Sequence, residues 1–253
     1  MRPPLFLVPA GSLEAARVGS PLTLDGEEGR HAATVRRIRA GERVDVADGL
    51  GVLARCRVTA TGRDRLELVA EAVEVEPPPR PRIVLAQALA TGGRDELAVA
   101  TATEVGVDGV IPWQAGRSVA RWPAERAERA RRRWEVTAAE AAKQSRRARL
   151  PVIEKPCSTS ELAGRASAAL LPVVLDDAAD LPLARLPLPP VDPDGEVLLV
   201  VGPEGGIDPG ELEVLSAAGA VTARLGGQVL RSSTAGPVAV AVLSVRLGRP
   251  GWS

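Results

Sequence analysis

Two rhythms of apolar and polar positions divide the chain. Up to residue 75, short runs alternate: "ERVDVAD", "GVLARCRVTA" and "RLELVAEAVEV" set Val44, Val46, Val52, Leu53, Val58, Leu66 and Leu68 against polar neighbours. A period of two marks strands with one buried face. The "DGLG" and "TGRD" stretches between them read as hairpin turns. One piece departs from this rhythm. "EEGRHAATVRRIRAGE", residues 27–42, has helical spacing, and Gly41 stands where a helix C-cap belongs. A small β-rich, barrel-like domain is expected here.

The rhythm changes after "EPPPRP", residues 76–81. Consecutive prolines continue neither a helix nor a strand and make a stiff spacer. Beyond it come unbroken apolar runs, "RIVLAQALA", "GVIPWQA", "AALLPVVLDD" and "EVLLVVG". Such runs predict strands of a parallel sheet, buried on both faces. Between them lie helical patterns. "RDELAVATATEVGV" is expected to end at Gly106, and "AERAERARRRWEVTAAEAAKQSRRAR" reads as one long helix. "PGELEVLSAAGA" follows Asp208 as N-cap, with Pro209 at the first helical position. "VTARLGG" predicts a last strand and "TAGPVAVAVLSVRL" a closing helix. Strands alternating with helices imply an α/β domain. The expected organisation is residues 1–75 as the β-rich domain, 76–81 as linker and 82–253 as the α/β domain, with a proline-rich surface loop at 181–195.

Composition narrows the chemistry. Apolar residues make up 45%, so both domains have material for a core. Cys56 and Cys157 form no CxxC and His31 is the only histidine, so no zinc or other metal site is expected. Two lone cysteines fit a reduced, cytoplasmic protein, and "MRPPLFLVPAGS" lacks the pattern of a signal peptide. No apolar stretch is long enough to span a membrane, so no membrane partner is expected. With no tyrosine and one phenylalanine, base stacking on aromatic platforms is not the expected mode of nucleic-acid binding. Charge, though zero overall, is uneven. Residues 121–149 carry ten basic and four acidic side chains, residues 150–253 seven basic and twelve acidic. The basic helix reads either as a solvated face with pairs such as Glu125–Arg129 and Glu128–Arg132, or as a track for an RNA backbone.

The most informative stretch is "LLVVGPEGGIDPGELEVL", residues 198–215. A glycine-rich loop between strand and helix suggests a phosphate cradle, but neither GK[ST] nor GxGxxG is present, and Glu204 would repel a phosphate. A neutral or cationic ligand fits better, and S-adenosylmethionine has a sulfonium and no phosphate. "RLGGQVLRSSTAGPVAVAVL", residues 224–243, again places glycines after a strand and hydroxyls at a helix start. Each loop alone reads equally as a tight turn with a helix cap. Together they can build one pocket at the carboxyl edge of the sheet.

"VGPEGGIDPGE", "LGGQVLRSSTAG", "TATEVGVDGVIPWQAGRSVARW", "EAAKQSRRARLP" and the N-terminal "HAATVRRIRAGERVDVADGLG" occur together. In these five motifs the chain resembles the ribosomal RNA small-subunit methyltransferase E family of the SPOUT superfamily, over nearly its whole length. The resemblance implies a PUA-like RNA-binding domain followed by a SPOUT domain with a trefoil knot, acting as a homodimer. It implies methyl transfer from S-adenosylmethionine to N3 of a uridine in 16S rRNA, either in naked small-subunit RNA or in the assembled subunit. Alternatives are a SPOUT enzyme with another RNA target and a non-catalytic RNA-binding protein of the same fold.

By the same resemblance, Val201, Gly202, Gly205 and Gly206 close over the methyl donor, and Leu175, Leu225, Gly226, Val229 and Leu230 form the adenine pocket. Ser232, Thr234 and Ala235 complete the donor site. Arg231 and Glu204 are the catalytic candidates: Arg231 to stabilise a uracil anion, Glu204 either to anchor the loop through backbone amides or to approach the uridine. RNA contacts are assigned to His31, Arg36, Arg37, Arg117, Gln144, Arg146 and Arg147. The chain departs from the family pattern "LRTET", having Ser233 in place of the acidic residue, and Arg94 is the nearest cation where many members carry a lysine.

Overall fold

The computed structural model describes residues 3–190 and 195–252. The expected proline-rich loop at 181–195 therefore lies partly outside the described residues. The chain divides into two compact units, Met1–Pro78 with Ala142–Leu150, and Pro79–Ala141 with Pro151–Ser253. The division at Pro78 falls within the proline run. Residues 142–150, assigned from sequence to the α/β domain, belong instead to the first unit. There Leu150 N–H donates to Gly49 O (2.9 Å) and Gly51 N–H to Ala148 O (3.2 Å).

In the first unit the strands are β1 (Leu5–Leu7), β2 (Pro21–Leu24), β3 (Arg43–Ala47), β4 (Val52–Thr61) and β5 (Leu66–Val75). They form one sheet in the order β1-β3-β4-β5-β2, with the expected hairpins β3–β4 and β4–β5 antiparallel and β1 parallel to β3. Phe6, Leu24, Val44, Val46, Val58, Leu66 and Leu68 fill its core; the last five are positions the period of two marked, whereas Val52 and Leu53, neighbours that point to opposite faces of β4, are only partly buried.

The helical piece is shorter than expected. Helix α1 (Gly26–Arg30) passes into a single π-helical turn, His31–Val35. Arg37 adopts φ 55°, which ends the helix. Gly41 is thus no C-cap: it turns the chain into β3 at φ 90°, and its N–H donates to Val58 O (2.8 Å).

The second unit is a six-stranded sheet, all pairs parallel. It comprises β6 (Arg82–Ala88), β7 (Gly109–Trp113), β8 (Val152–Ile153), β9 (Leu171–Leu175), β10 (Glu196–Val201) and β11 (Val221–Ala223), in the order β11-β9-β10-β6-β7-β8. Both faces are buried. Ile83, Leu85, Val197 and Leu199 pack into one apolar cluster, and Val84, Ala86, Leu198 and Val200 into another. This is why the strands read as continuous apolar runs. The helices are α2 (Arg94–Glu104), α3 (Ala124–Ser145, whose last turn lies in the first unit), α4 (Thr159–Ala168), α5 (Pro209–Ala217) and α6 (Ser232–Arg246). Helix α2 ends before Gly106 (φ 95°), and Asp208 caps α5 by accepting from Gly210 N–H (3.0 Å). Helix α4 starts with a capping box between Ser158 and Glu161. On α3, Arg131 pairs with Glu128 and Glu135, and Arg132 with Glu128, so part of the basic surface is self-neutralised.

From β6 the chain runs outward to β7 and β8, then returns to lay β9, β10 and β11 on the other side. The reversal lies between β6 and β10, and beside it the loops after β9, β10 and β11 line one cleft at the carboxyl edge of the sheet.

Candidate active site

The cleft has a volume of about 870 Å³, within the range of ligand pockets, roughly 300–1,000 Å³. Three loops build it, following β9, β10 and β11. Leu175 and Val201 close the floor at the strand ends, Gly202 to Gly206 make one wall, and Leu225, Gly226, Val229 and Leu230 the other. Arg231, Ser232 and Ala235 come from the start of α6. The two glycine loops, about twenty residues apart in sequence, thus form one pocket. Every residue assigned to the donor site or to catalysis lines it except Thr234. Thr234 is exposed on α6, one turn before exposed Val238, because Ser232 and Ala235 take the cleft-facing positions of that first turn.

The glycines differ in what they do. In the 203–206 turn, Gly206 N–H donates to Pro203 O (3.0 Å), and Gly206 itself has φ 74°. A Cβ on Gly202 would lie 2.6 Å from Ile207 Cγ1, so only glycine fits there without a shift. A Cβ on Gly205 would meet Arg117 Cβ at 3.6 Å, an ordinary contact.

Among the described residues no backbone amide donates to Glu204. Its carboxylate accepts from Arg94 Nη1 at 3.1 Å, both side chains being partly exposed. Arg94 opens α2, so this pair links the wall of the cleft to the helix after β6. Arg117, assigned from sequence to RNA, lies in the loop after β7. It donates from Nη1 to Gly205 O (3.3 Å) and pairs through Nη2 with Asp208 (3.5 Å).

At the head of α6, Arg231 is N-cap with no side-chain cap, and no acidic residue stands in the first turn. Ser232 is buried, and its Oγ has no hydrogen-bond partner among the described residues. An uncapped helix start with a free hydroxyl suits an anionic or hydrogen-bonding ligand group. Sequence reasoning missed Asp176 and Asp177, which line the cleft beyond β9. Their signal was visible, two carboxylates directly after a buried apolar run, the same position relative to a strand as the glycine loop. With Glu204 they set three carboxylates against Arg94 and Arg231.

Of the remaining RNA assignments, His31, Arg36, Arg37 and Gln144 are exposed. His31 packs edge-on against Phe6 (6.2 Å between ring centroids). Arg146 and Arg147 follow the end of α3, half-buried. The Arg146 guanidinium donates to Pro3 O (2.6 Å), and Arg147 N–H to Ala142 O (2.9 Å).

Residues 76–244 match the RNA methyltransferase domain family, and residues 24–71 the RNA methyltransferase PUA domain family. A ribosomal RNA small subunit methyltransferase E of Mycobacterium bovis is 44% identical over 240 residues, covering 91% of this chain and 88% of the relative. The chain belongs to that methyltransferase E family. Its Bacillus subtilis member is 29% identical, covering 88% of this chain and 89% of its own length. The crystal structure of the Neisseria gonorrhoeae member, bound to S-adenosyl methionine, matches with a TM-score of 0.83 and 25% identity over 97% of this chain and 98% of its own. Family membership accounts for the presence of both a PUA domain and a parallel-sheet domain in one chain.

Proposed function

We propose that the protein transfers the methyl group of S-adenosylmethionine to N3 of a uridine in small-subunit ribosomal RNA. The observation that carries this reading is the cleft itself: two glycine loops with backbone close at hand, and three carboxylates facing two arginines. At neutral pH S-adenosylmethionine bears a sulfonium, an ammonium and one carboxylate, a net positive charge, and it matches that balance. Leu175, Leu225, Val229 and Leu230 supply apolar surface for the adenine. Val201, Gly202, Gly205 and Gly206 bring the backbone close, and Ser232 with the head of α6 meets a polar end of the ligand.

The methyl carbon passes in line from sulfur to N3. The C–S pair stays on sulfur, leaving S-adenosylhomocysteine, and the N3 proton leaves to water. Positioning is the main task in such a displacement. Arg231 stands at the rim of the cleft, where its charge stabilises the uracil imide anion. Glu204 acts by holding Arg94. His31, Arg36 and Arg37 in the PUA-like domain, and Gln144, Arg146 and Arg147 after it, supply RNA contacts.

Two finer points belong to the same reading. In the SPOUT fold the chain passes through a loop of itself. The contacts of Arg224 support this here: its N–H donates to Leu181 O, its carbonyl accepts from Leu183 N–H, and its guanidinium reaches Ala179 O and Asp180 O. Residues 179–183 thus bond to the chain at Arg224, just before Leu225 enters the cleft. The protein acts as a homodimer through the outer face of α6, where Val238 and Val245 are exposed beside Thr234. It works in the cytoplasm, where ribosomes are assembled.

The test is methylation of small subunits lacking the modification, with labelled donor and nucleoside analysis of the product. N3-methyluridine supports the reading; a ribose-methylated or other nucleoside overturns the N3 assignment. Absence of transfer despite donor binding favours the non-catalytic alternative.

A further inference from the structure

We propose that Arg117 and Glu211 form a clamp that sets the shape of the 202–206 loop, so that both are positioning residues for the methyl donor. This rests on the reading of that loop as part of the donor site. Glu211 sits in the first turn of α5, and one oxygen of its carboxylate accepts from Gly116 N–H (2.8 Å) and from Thr159 Oγ1 (2.5 Å). Thr159 in turn accepts from the indole of Trp113 (3.1 Å), which is fully buried at the end of β7. The loop after β7 is held from its other side as well: Arg121 donates to Ala115 O (2.7 Å) and Gly116 O (2.8 Å). The Ala115–Gly116 peptide is therefore held at both its carbonyl and its N–H, and the peptide before Arg117 at its Gly116 carbonyl.

From this fixed base Arg117 reaches Gly205 O and Asp208. The Gly205 carbonyl shares a peptide plane with the Gly206 N–H, which closes the turn onto Pro203. A planar peptide held at both ends does not rotate. Rotation of that plane is the motion left open to two adjacent glycines, and it would swing the loop backbone away from the cleft. The Arg117–Asp208 ion pair, half-exposed on both sides, contributes little as a charge pair. Its effect is directional: it aims the guanidinium at the carbonyl.

The clamp separates two roles for Arg117. As an RNA contact, it would leave donor binding in the absence of RNA unchanged. As a clamp, it changes donor binding with no RNA present. The experiment is calorimetric titration of the full chain with S-adenosylmethionine, without RNA, for wild type, Arg117→Ala, Glu211→Ala, Glu211→Gln and the double alanine variant. Loss of one hydrogen bond predicts about fivefold weaker binding for Arg117→Ala. Glu211→Gln, which keeps an acceptor for Gly116 N–H, is expected to stay near wild type while Glu211→Ala weakens. The double variant is expected to fall no further than the weaker single, because Glu211 acts on the loop through Arg117. Donor affinity unchanged in Arg117→Ala overturns the clamp; this variant removes an exposed side chain and does not depend on Glu211→Ala folding. Failure of wild type itself to bind the donor overturns the reading of the loop instead, so the two failures are distinct.

Discussion

At the residue scale, the glycine loops show how a single absent Cβ shapes a site. Gly202→Ala sets a methyl 2.6 Å from Ile207 Cγ1, and the shift it forces falls directly under the donor. We expect it to weaken donor binding by about tenfold, whereas Gly205→Ala, with room for its methyl, stays within about twofold. Titration of the two variants side by side checks the order; equal losses would mean the loop responds to glycine content alone. Sequence reading assigns all these glycines to the loop without ranking them, because the rank depends on Ile207 and Arg117, which only the folded chain brings near. Cys157 offers a second residue-level test. Burial, with Glu161 and Glu154 nearby, pushes its thiol up to about 12. An unfolded thiol ionises near pH 8.5, so between these values the folded state holds a proton the unfolded state has lost. Stability therefore declines as pH rises from about 8.5 towards 12. In the native protein at pH 8 Cys157 is expected to resist alkylation, and to react once the chain is denatured. Rapid labelling of native protein would contradict this.

At the element scale, periodicity reported helices and strands well where each packs on its neighbours. Five of the six strands of the parallel sheet, and α2, α3, α5 and α6, fall on the apolar runs and helical patterns that predicted them; the two-residue β8 and helix α4 were not expected from the sequence. One further departure is instructive. Residues 27–42 carry helical spacing, yet the helix ends at the π turn, with Arg37 at φ 55°. Gly29 explains the constraint: a Cβ there would lie 2.5 Å from Asp64 O and 2.6 Å from Leu24 O, so the segment is pressed against the sheet. Close approach to backbone from another element leaves no trace in local periodicity. The exposed Arg36 and Arg37 follow from that turn. Replacing both with alanine is expected to weaken RNA binding and to lower the slope of log affinity against log salt by up to about 2, one for each phosphate that an arginine neutralises. An unchanged slope removes the assignment. Helix α4 gives a stability test independent of function. Ser158→Ala removes the capping box, in which Glu161 N–H donates to Ser158 Oγ (3.3 Å) and Ser158 N–H to Glu161 Oε2 (2.8 Å). A loss of about 1 kcal/mol is expected by denaturant unfolding, with donor binding unaltered.

At the scale of each whole unit, the order of strands was the least legible feature, because a linear pattern states which segments are buried and not which lie side by side. The clustering of 142–150 with the first unit is hidden in the sequence for the same reason: Gly49 and Leu150 are a hundred residues apart. What closes the second unit is likewise long-range. Beyond α6 the chain returns, and Arg249, 7% exposed, places Nη2 2.6 Å from Asp108 Oδ2 while Nη1 donates to Gly106 O (3.0 Å). The same Asp108 oxygen accepts from Ile83 N–H (2.8 Å) at the start of β6. The C-terminal end of the chain is thus tied to the first strand of its unit and to the loop before β7. Since α6 begins in the cleft and ends at this pair, the pair fixes the far end of the helix that presents Arg231 and Ser232. Asp108→Ala leaves a buried guanidinium without its counter-charge and frees the Ile83 N–H, a loss on the order of 3–5 kcal/mol. Exchange of Arg249 and Asp108 together for apolar residues of similar volume is expected to recover much of that loss, because the remaining penalty is then desolvation avoided rather than a charge stranded. Thermal unfolding of the single and double variants decides between them. Recovery in the double variant identifies the pair as a coupled unit, and a double variant no more stable than Asp108→Ala would assign the damage to the lost Ile83 hydrogen bond.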